Sequence, residues 1–254
     1  MREHSDLVLE YRHLEEVTST NDYLREFLPT ADITIVSATY QTKGRGQKGN
    51  TWVSQPGRNI LFSLLVCPEA LKAVDGFVLS QAMALSIQDT LSEYVEGISI
   101  KWPNDIYCRG RKICGTLIEN TLREKYIGRS VIGSGININQ DAFPSGLAAP
   151  ATSLFMVLGR ELNATEIMHA VVERFQDFYA EILSGQYECI RRRYHDSLYL
   201  RGQQHRFSDI GGMFLGTISH VEPDGHLIII DSAGLSRRYA FKEVKLVHDT
   251  ELTE

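Results

Sequence analysis

The chain has 254 residues, 43% hydrophobic and 23% charged, an ordinary globular composition sufficient for one large core or a main domain carrying a small satellite. A formal net charge of -6 argues against a general nucleic-acid binder, because backbone binding neutralises many phosphates, yet it leaves room for a local anion site. The charged N-terminus lacks an apolar signal core and no segment approaches about 18 uncharged apolar residues, so no membrane span and a cytoplasmic location are expected.

Residues 7–9 form a short apolar run suited to an edge strand. Ser19, Thr20, Asn21 and Asp22 then supply N-cap oxygens and an early carboxylate ahead of Tyr23, Leu24, Phe27 and Leu28, with Pro29 as the helix stop. Residues 33–40 are β-rich. Residues 60–66 are an almost unbroken apolar run, as expected for a strand buried on both faces at the centre of a mixed sheet. From 73 to 94, Val74, Phe77, Val78, Met83, Leu85, Ile87 and Leu91 mark a helix lying across a sheet face.

Residues 98–102 and 106–108 read as strands, and Arg109 with Gly110 turns the chain into 113–119 as a hairpin. Two further β-like runs surround Gly133 and Gly135 within 126–138. A strong helix over 165–183 closes at Gly185, and 187–194 suits another. His169 reads as a helix-surface or packing residue. Arg191, Arg192 and Arg193 read as a solvated face, or as a charge contact with a partner domain.

Beyond Leu198 the pattern becomes short strands: 214–220, a turn at Pro223, Asp224 and Gly225, then 227–231, 238–241 and 244–247. The expected architecture is α+β, a mixed central sheet flanked by helices over 1–197, followed by a small barrel-like β domain over 198–254. Cys67, Cys108, Cys114 and Cys189 form no CxxC pair. The eight histidines, His4 and His248 included, lack HExxH spacing, so structural thiols and no protein-held metal cluster are expected.

The densest chemical signal lies at 41–52. It contains a literal GxGxxG at Gly44, Gly46 and Gly49, but no helix or ribose-binding acid follows, so a dinucleotide fingerprint fails. The Gly-Lys-Ser/Thr ending of an ATP-binding P-loop is also missing. Lys43, Arg45, Lys48 and Arg58 nevertheless provide four cations with no acid from 41 to 58, and Trp52 offers a flat stacking face. Two readings fit: a phosphate or carboxylate site, or a solvated loop with Trp52 as a core anchor.

Lys101, Trp102, Pro103, Asn104 and Asp105 end a strand, and the hairpin at Arg109 and Gly110 lets Asp105 and Lys112 return to one end. The alternative is a solvated basic turn. Gly115, Gly133 and Gly135 interrupt strands of larger residues, which signals close approach by ligand or by another strand. Asn137 and Asn139 share one face, as ligand contacts or as polar strand-end positions.

Together these pieces resemble the catalytic region of biotin–protein ligases. The matching elements are Ser19-Thr20-Asn21; Gln41 with Gly44-Arg45-Gly46, Gly49, Trp52 and Ser54; Lys101-Trp102-Pro103-Asn104-Asp105; Lys112 with Gly115 and Glu119; and Gly133-Ser134-Gly135-Ile136-Asn137. The resemblance implies a class II synthetase/biotin-ligase-like domain with an SH3-like C-terminal domain. It implies biotin, ATP and Mg²⁺ as ligands, biotinyl-5′-AMP as intermediate, and a lysine of a biotin carboxyl carrier protein as acceptor.

By the same resemblance Lys112 is the principal catalytic lysine, Arg45 holds carboxylate or phosphate, and Asp105 orients the attacking lysine or organises metal and phosphate. Ser19, Thr20 and Gln41 contact the ureido ring, Trp52 covers adenine, and Asn137 lines the nucleotide side. Asn21, Gly44, Gly46, Lys48, Lys101, Asn104, Gly115 and Gly135 complete the expected binding set. Only 18 residues precede Ser19, too few for a helix-turn-helix domain, so DNA binding is not expected; a homodimer is implied by resemblance alone. Gln47 and Asn50 replace two cations of the more arginine-rich family loop. Rival functions are a lipoate–protein ligase and a non-catalytic module that binds an acyl-carrier domain.

Overall fold

The computed structural model describes residues 7–144 and 150–247, so His4 and His248 lie outside the described residues. Seven strands form the main sheet: β1 (Leu9–Val17), β2 (Ile33–Gln41), β3 (Ile60–Val66), β4 (Ile98–Lys101), β5 (Asp105–Cys108), β6 (Arg111–Arg123) and β7 (Tyr126–Ile136). Their spatial order is β1-β2-β3-β7-β6-β5-β4. The β1–β2 pair is parallel and the other pairs are antiparallel, which makes the sheet mixed.

The two faces of this sheet are covered unequally, and that inequality positions the site. On one face lie α2 (Phe77–Ser92) and α4 (Ala164–Leu183), with α5 (Glu188–Asp196) against α2. Phe62, Leu64, Ile132 and Ile136 from the strands join Val78, Met83, Val171 and Phe175 from these helices in one core. Each such side chain, fully withdrawn from water, contributes about 1.5–3 kcal/mol. The α2 helix is buried around most of its circumference, as expected of a helix held between a sheet and other helices. The α4 helix begins at Asn163, whose side chain accepts from the Thr165 and Glu166 amides.

The opposite face carries only the short α1 (Thr20–Arg25), where Leu24 packs on Val36, Leu65 and Val131. Ser19 caps α1 by accepting from the Asp22 amide. Among the described residues no helix covers the centre of that face.

A second sheet holds β8 (Gln204–Asp209), β9 (Gly212–Val221), β10 (Leu227–Asp231), β11 (Ser236–Tyr239) and β12 (Lys245–Leu246) in the order β11-β10-β9-β8-β12, all antiparallel. Phe214 stacks between Phe207 and Tyr239. The sheet docks on the main body through Trp102, whose indole N–H donates to the Gly225 carbonyl at 2.9 Å and whose ring meets Phe241 edge-on. His195 on α5 adds a contact to the Val221 backbone.

Several expectations need correction. The first strand runs over Leu9–Val17 rather than 7–9, because pairing with β2 rather than apolarity defines it. The α1 helix stops at Arg25, ahead of Pro29. Residues 73–94 divide into a 3₁₀ turn, Ala73–Asp75, and α2. Residues 126–136 are one continuous strand rather than two. The polar strand β8 and the short helix α3 (Leu154–Leu158) carry too little local pattern to be seen in advance.

The solvated face expected of Arg191, Arg192 and Arg193 holds for the exposed Arg192, whereas Arg191 and Arg193 pair with Asp75 and Asp89 at 2.7 and 2.6 Å. His169 stacks on Tyr11, in keeping with a packing role. The four thiols are free; Cys108 and Cys114 are buried, Cys67 is half-buried and Cys189 is exposed. Among the described residues no helix is long and apolar enough to cross a membrane.

Candidate active site

On the open face, β6 and β7 align Gly115 with Gly135 and Leu117 with Gly133. The two paired glycines remove side chains from adjacent strands and leave a flat floor, on which the Trp52 indole rests. A Cβ on Gly135 would lie 2.3 Å from Trp52 Cε2, and one on Gly115 would lie 3.0 Å from Cζ3. The close approach read from the sequence is therefore made here by a tryptophan from the glycine loop.

Lys112 reaches this floor because of a bulge. Tyr107 of β5 faces Lys112 while Ile106 faces Cys114, so Ile113 is an extra residue in β6. In a regular strand, positions 112 and 115 point to opposite faces; the bulge returns both to one face. Lys112 Nζ lies 3.2 Å from where a Gly115 Cβ would sit, 5.9 Å from the Trp52 ring centroid and 2.7 Å from Asp105 Oδ1. The main chain at Lys112 is fixed on its other side by bonds with Pro150 and Thr152. Arg109 and Gly110, with φ of 49° and 78°, make the left-handed turn that returns β6 beside β5.

Lys101 pairs opposite Asp105, and its Nζ donates to the Tyr107 hydroxyl at 3.0 Å. Burial and the Asp105 charge push that hydroxyl up to about 12, and burial pushes the Cys114 thiol up to about 12 as well, so neither ionises near neutrality. Lys112 is a cation over the floor, paired with Asp105.

The loop after β2 folds back on itself through Trp52 N–H to Gly44 O (2.9 Å) and Gly46 N–H to Asn50 O (2.6 Å), around a 3₁₀ turn at Gln47–Gly49. A Cβ on Gly44 would lie 2.5 Å from the Trp52 carbonyl oxygen. Lys48 sits in the turn, with its side chain outside the described part of the structure.

The loop carries no acid of its own, but the fold supplies three. Arg45 pairs with Asp22 of α1 at 3.0 Å and Glu119 of β6 at 2.7 Å. Arg58 pairs with Glu161 at 2.5 Å. The expectation of a carboxylate-free basic loop holds along the sequence and fails in three dimensions. Burial raises the Glu119 carboxyl, but hydrogen bonds from Asn21 and Arg45 and the charges of Arg45 and Arg25 outweigh it, leaving the group below its ordinary value.

A polar chain runs from the loop into the sheet. Gln41 Oε1 accepts from the Thr20 amide and hydroxyl, Thr20 Oγ1 meets Ser63 Oγ at 2.7 Å, Ser63 donates to Asn21 Oδ1, and Asn21 Nδ2 donates to Glu119 at 2.9 Å. Asn21 fills the space above Gly133, where a Cβ would lie 1.8 Å from its Oδ1. Thr20, Asn21 and Gln41 are therefore brought together, while Ser19 serves the helix cap.

Asn104 donates to the Thr116 carbonyl and accepts from Gln47. Asn137 donates to the Thr152 carbonyl, and Asn139 is tied to Leu162, which makes Asn139 a structural position. Ser63, Asp22 and Gln47 were missed as site residues; for Ser63 the lone hydroxyl inside an apolar strand was the available signal. Glu119 gave no local hint of its contact with Arg45.

Trp52 Nε1, Arg45 Nε, Gln47 Oε1 and Asn137 Oδ1 are buried without a hydrogen-bond partner. Four such atoms around one floor are what a polar ligand would satisfy. A cavity of about 530 Å³ opens beside the glycine loop, lined by 42–46, 49–51, Leu117 and Glu119; Arg45 lines it, whereas Trp52, Lys112 and the paired glycines do not. That size suits a small organic molecule.

Comparison with known proteins bears on the same residues. A model of the biotin/lipoate A/B protein ligase family matches residues 14–137, the span that carries Thr20, Arg45, Asp105, Lys112 and both floor glycines. Residues 14–137 carry this family's domain. The bifunctional ligase/repressor BirA of Bacillus spizizenii is 31% identical over 212 residues, covering 82% of this chain and 64% of that protein. The biotin–[acetyl-CoA-carboxylase] ligase of Mycobacterium tuberculosis is 30% identical over 154 residues, covering 57% of this chain and 55% of that protein. The chain thus spans less than two thirds of the length of these relatives.

Among solved structures, a biotin protein ligase from Aquifex aeolicus in complex with biotin and ATP superposes with a TM-score of 0.77 at 26% identity, covering 94% of this chain and 99% of that one. That likeness of fold covers the mixed sheet and the C-terminal antiparallel sheet together.

Proposed function

We propose that this chain is an ATP-dependent biotin–protein ligase. It would join the biotin carboxylate to the α-phosphate of ATP, releasing pyrophosphate, and then pass the biotinyl group to a lysine of a biotin carboxyl carrier domain, releasing AMP. The observation that carries this reading is Lys112 Nζ over the Gly115–Gly135 floor, 2.7 Å from Asp105 and beside Trp52. The names of the relatives and of the Aquifex complex support the same reaction.

Attack by a carboxylate on a phosphate brings two anions together. Lys112, fixed by Asp105, offsets that repulsion at the reacting centre, with Arg45, held by Asp22 and Glu119, as the second cation of the site. The mixed anhydride formed is water-sensitive, and Trp52 on its self-bonded loop serves as cover. In the second step the carrier amine attacks the acyl carbon, the bond to AMP breaks, and the amine proton leaves; Asp105 is the carboxylate placed to assist. The Thr20–Gln41–Ser63 cluster provides hydrogen bonds for a ureido ring, where an apolar tunnel would suit lipoate better.

The described site has no cluster of three acids or histidines able to cage a metal; the one such group among the described residues, Glu222, Asp224 and His226, lies in the turn between β9 and β10. Mg²⁺ fits here as an ion carried chiefly by the ATP phosphates, where it would supply charge neutralisation. We assign catalysis to residues 1–197 and place the protein in the cytoplasm, with a carboxylase carrier domain as partner. The test is incubation with biotin, ATP, Mg²⁺ and a carrier domain, followed by intact mass, with lipoate in parallel. Covalent biotin on the carrier supports the reading; a lipoate adduct alone, or no adduct, overturns it.

A further inference from the structure

The polar chain through the site ends on Glu119, whose position gives it an action beyond charge balance. One oxygen, Oε2, receives both Arg45 Nη2 at 2.7 Å and Asn21 Nδ2 at 2.9 Å, and the other receives Arg25 at 2.9 Å. Arg45 belongs to the glycine loop, which closes over the floor. Asn21 belongs to the cluster that continues through Ser63 and Thr20 to Gln41. Glu119 therefore stands where the glycine loop and the hydrogen-bonded cluster meet.

The geometry points to Glu119 as a positioning residue that, with Asp22, clasps Arg45 so that the glycine loop is held near its closed course and recognition of the small acid is coupled to loop closure. Asp22 accepts from the same Arg45 nitrogen at 3.0 Å, so the cation is shared between α1 and β6, which also meet where Asn21 and Arg25 bond to Glu119. Neither carboxylate has to touch the reacting atoms. Glu119 acts through Arg45 on one side and Asn21 on the other, and Asn21 is immobilised by Ser63 and by the bare backbone of Gly133 beneath it.

Loss of the Glu119 charge leaves Arg45 on Asp22 alone and frees the loop to open. A ligand must then close the loop at its own cost, which raises the concentration needed without slowing the bound complex.

The kinetic arm of the test rests on the proposed ligase activity; the structural arm does not. Wild type, Glu119→Gln and Asp22→Asn are digested with trypsin without ligand, following cleavage at Lys43, Arg45 and Lys48 by mass, with thermal unfolding as a control on folding. Cleavage in the loop is expected to be several-fold faster in Glu119→Gln, less so in Asp22→Asn, and slowed again by saturating biotin. In steady state, Glu119→Gln is expected to raise KM for biotin about tenfold, with kcat within about twofold. Unchanged loop cleavage in folded Glu119→Gln overturns the clasp, as does a fall in kcat at constant KM. Failure of wild type to bind biotin overturns the ligase reading instead, and the ligand-free cleavage rates still decide the clasp.

Discussion

Gly135→Ala isolates the role of the glycine floor, because its backbone is not among the positive-φ positions and alanine meets no backbone penalty there. The new methyl would lie 2.3 Å from Trp52 Cε2, whereas carbon atoms pack at about 3.5–4.0 Å, so the indole must retreat by at least about 1.2 Å. Trp52 stands on a loop and its Nε1 has no partner, so the ring yields more easily than the strands. Overpacking costs about 1–3 kcal/mol, and the yielding ring places this substitution near about 1 kcal/mol. For a protein of this size that is a fall in Tm of about 2–4 °C.

Gly133→Ala provides the contrast. Its methyl would lie 1.8 Å from Asn21 Oδ1, a side chain tied to Ser63, Leu117 and Glu119 and unable to retreat. The cost there reaches about 3 kcal/mol, or about 6–12 °C in Tm. Calorimetry gives both values, and a Trp102→Phe background lets tryptophan emission report Trp52. Gly135→Ala is expected to shift that emission and to slow pyrophosphate release from biotin and ATP. Equal Tm losses for the two alanines, or an unchanged Trp52 signal in Gly135→Ala, would refute the assignment of the floor.

Lys112→Met is expected to keep the fold, since the group is partly exposed, and to slow the activation step by about 10²–10³-fold, measured as single-turnover pyrophosphate release. Unchanged activation would remove Lys112 from its role. Glu119 has a folded value below the ordinary carboxylate value, so its contribution to stability is complete above the unfolded range and is lost as pH falls through the folded value. The Tm gap between wild type and Glu119→Gln should therefore narrow between about pH 5 and pH 3; a constant gap contradicts it.

His195 is shifted down by burial beside Val221, against a raising backbone hydrogen bond. Its contribution is complete above about pH 6.5 and falls away as the medium acidifies toward the folded value. Wild type should lose more stability than His195→Gln between pH 7.5 and 5.5, read by thermal unfolding at matched salt. Equal losses would show that this contact does not titrate.

The sequence by itself determined much of the molecule. The apolar run of β3, the amphipathic face of α4, the turn at Arg109 and Gly110, and the return of Asp105 to Lys112 all rest on contacts within a few residues or on a hydrophobic period. Strand glycines announced a close approach without naming what approached. Only the tertiary structure decided the rest. Residue parity places Lys112 and Gly115 on opposite faces of β6, and the bulge at Ile113 reverses that outcome; a bulge depends on pairing with β5. The charge state around Arg45 depends on Asp22 and Glu119, the latter 74 positions away, and no local pattern encodes such a meeting. The floor beneath Trp52 likewise exists because strands β6 and β7 bring two distant glycines side by side.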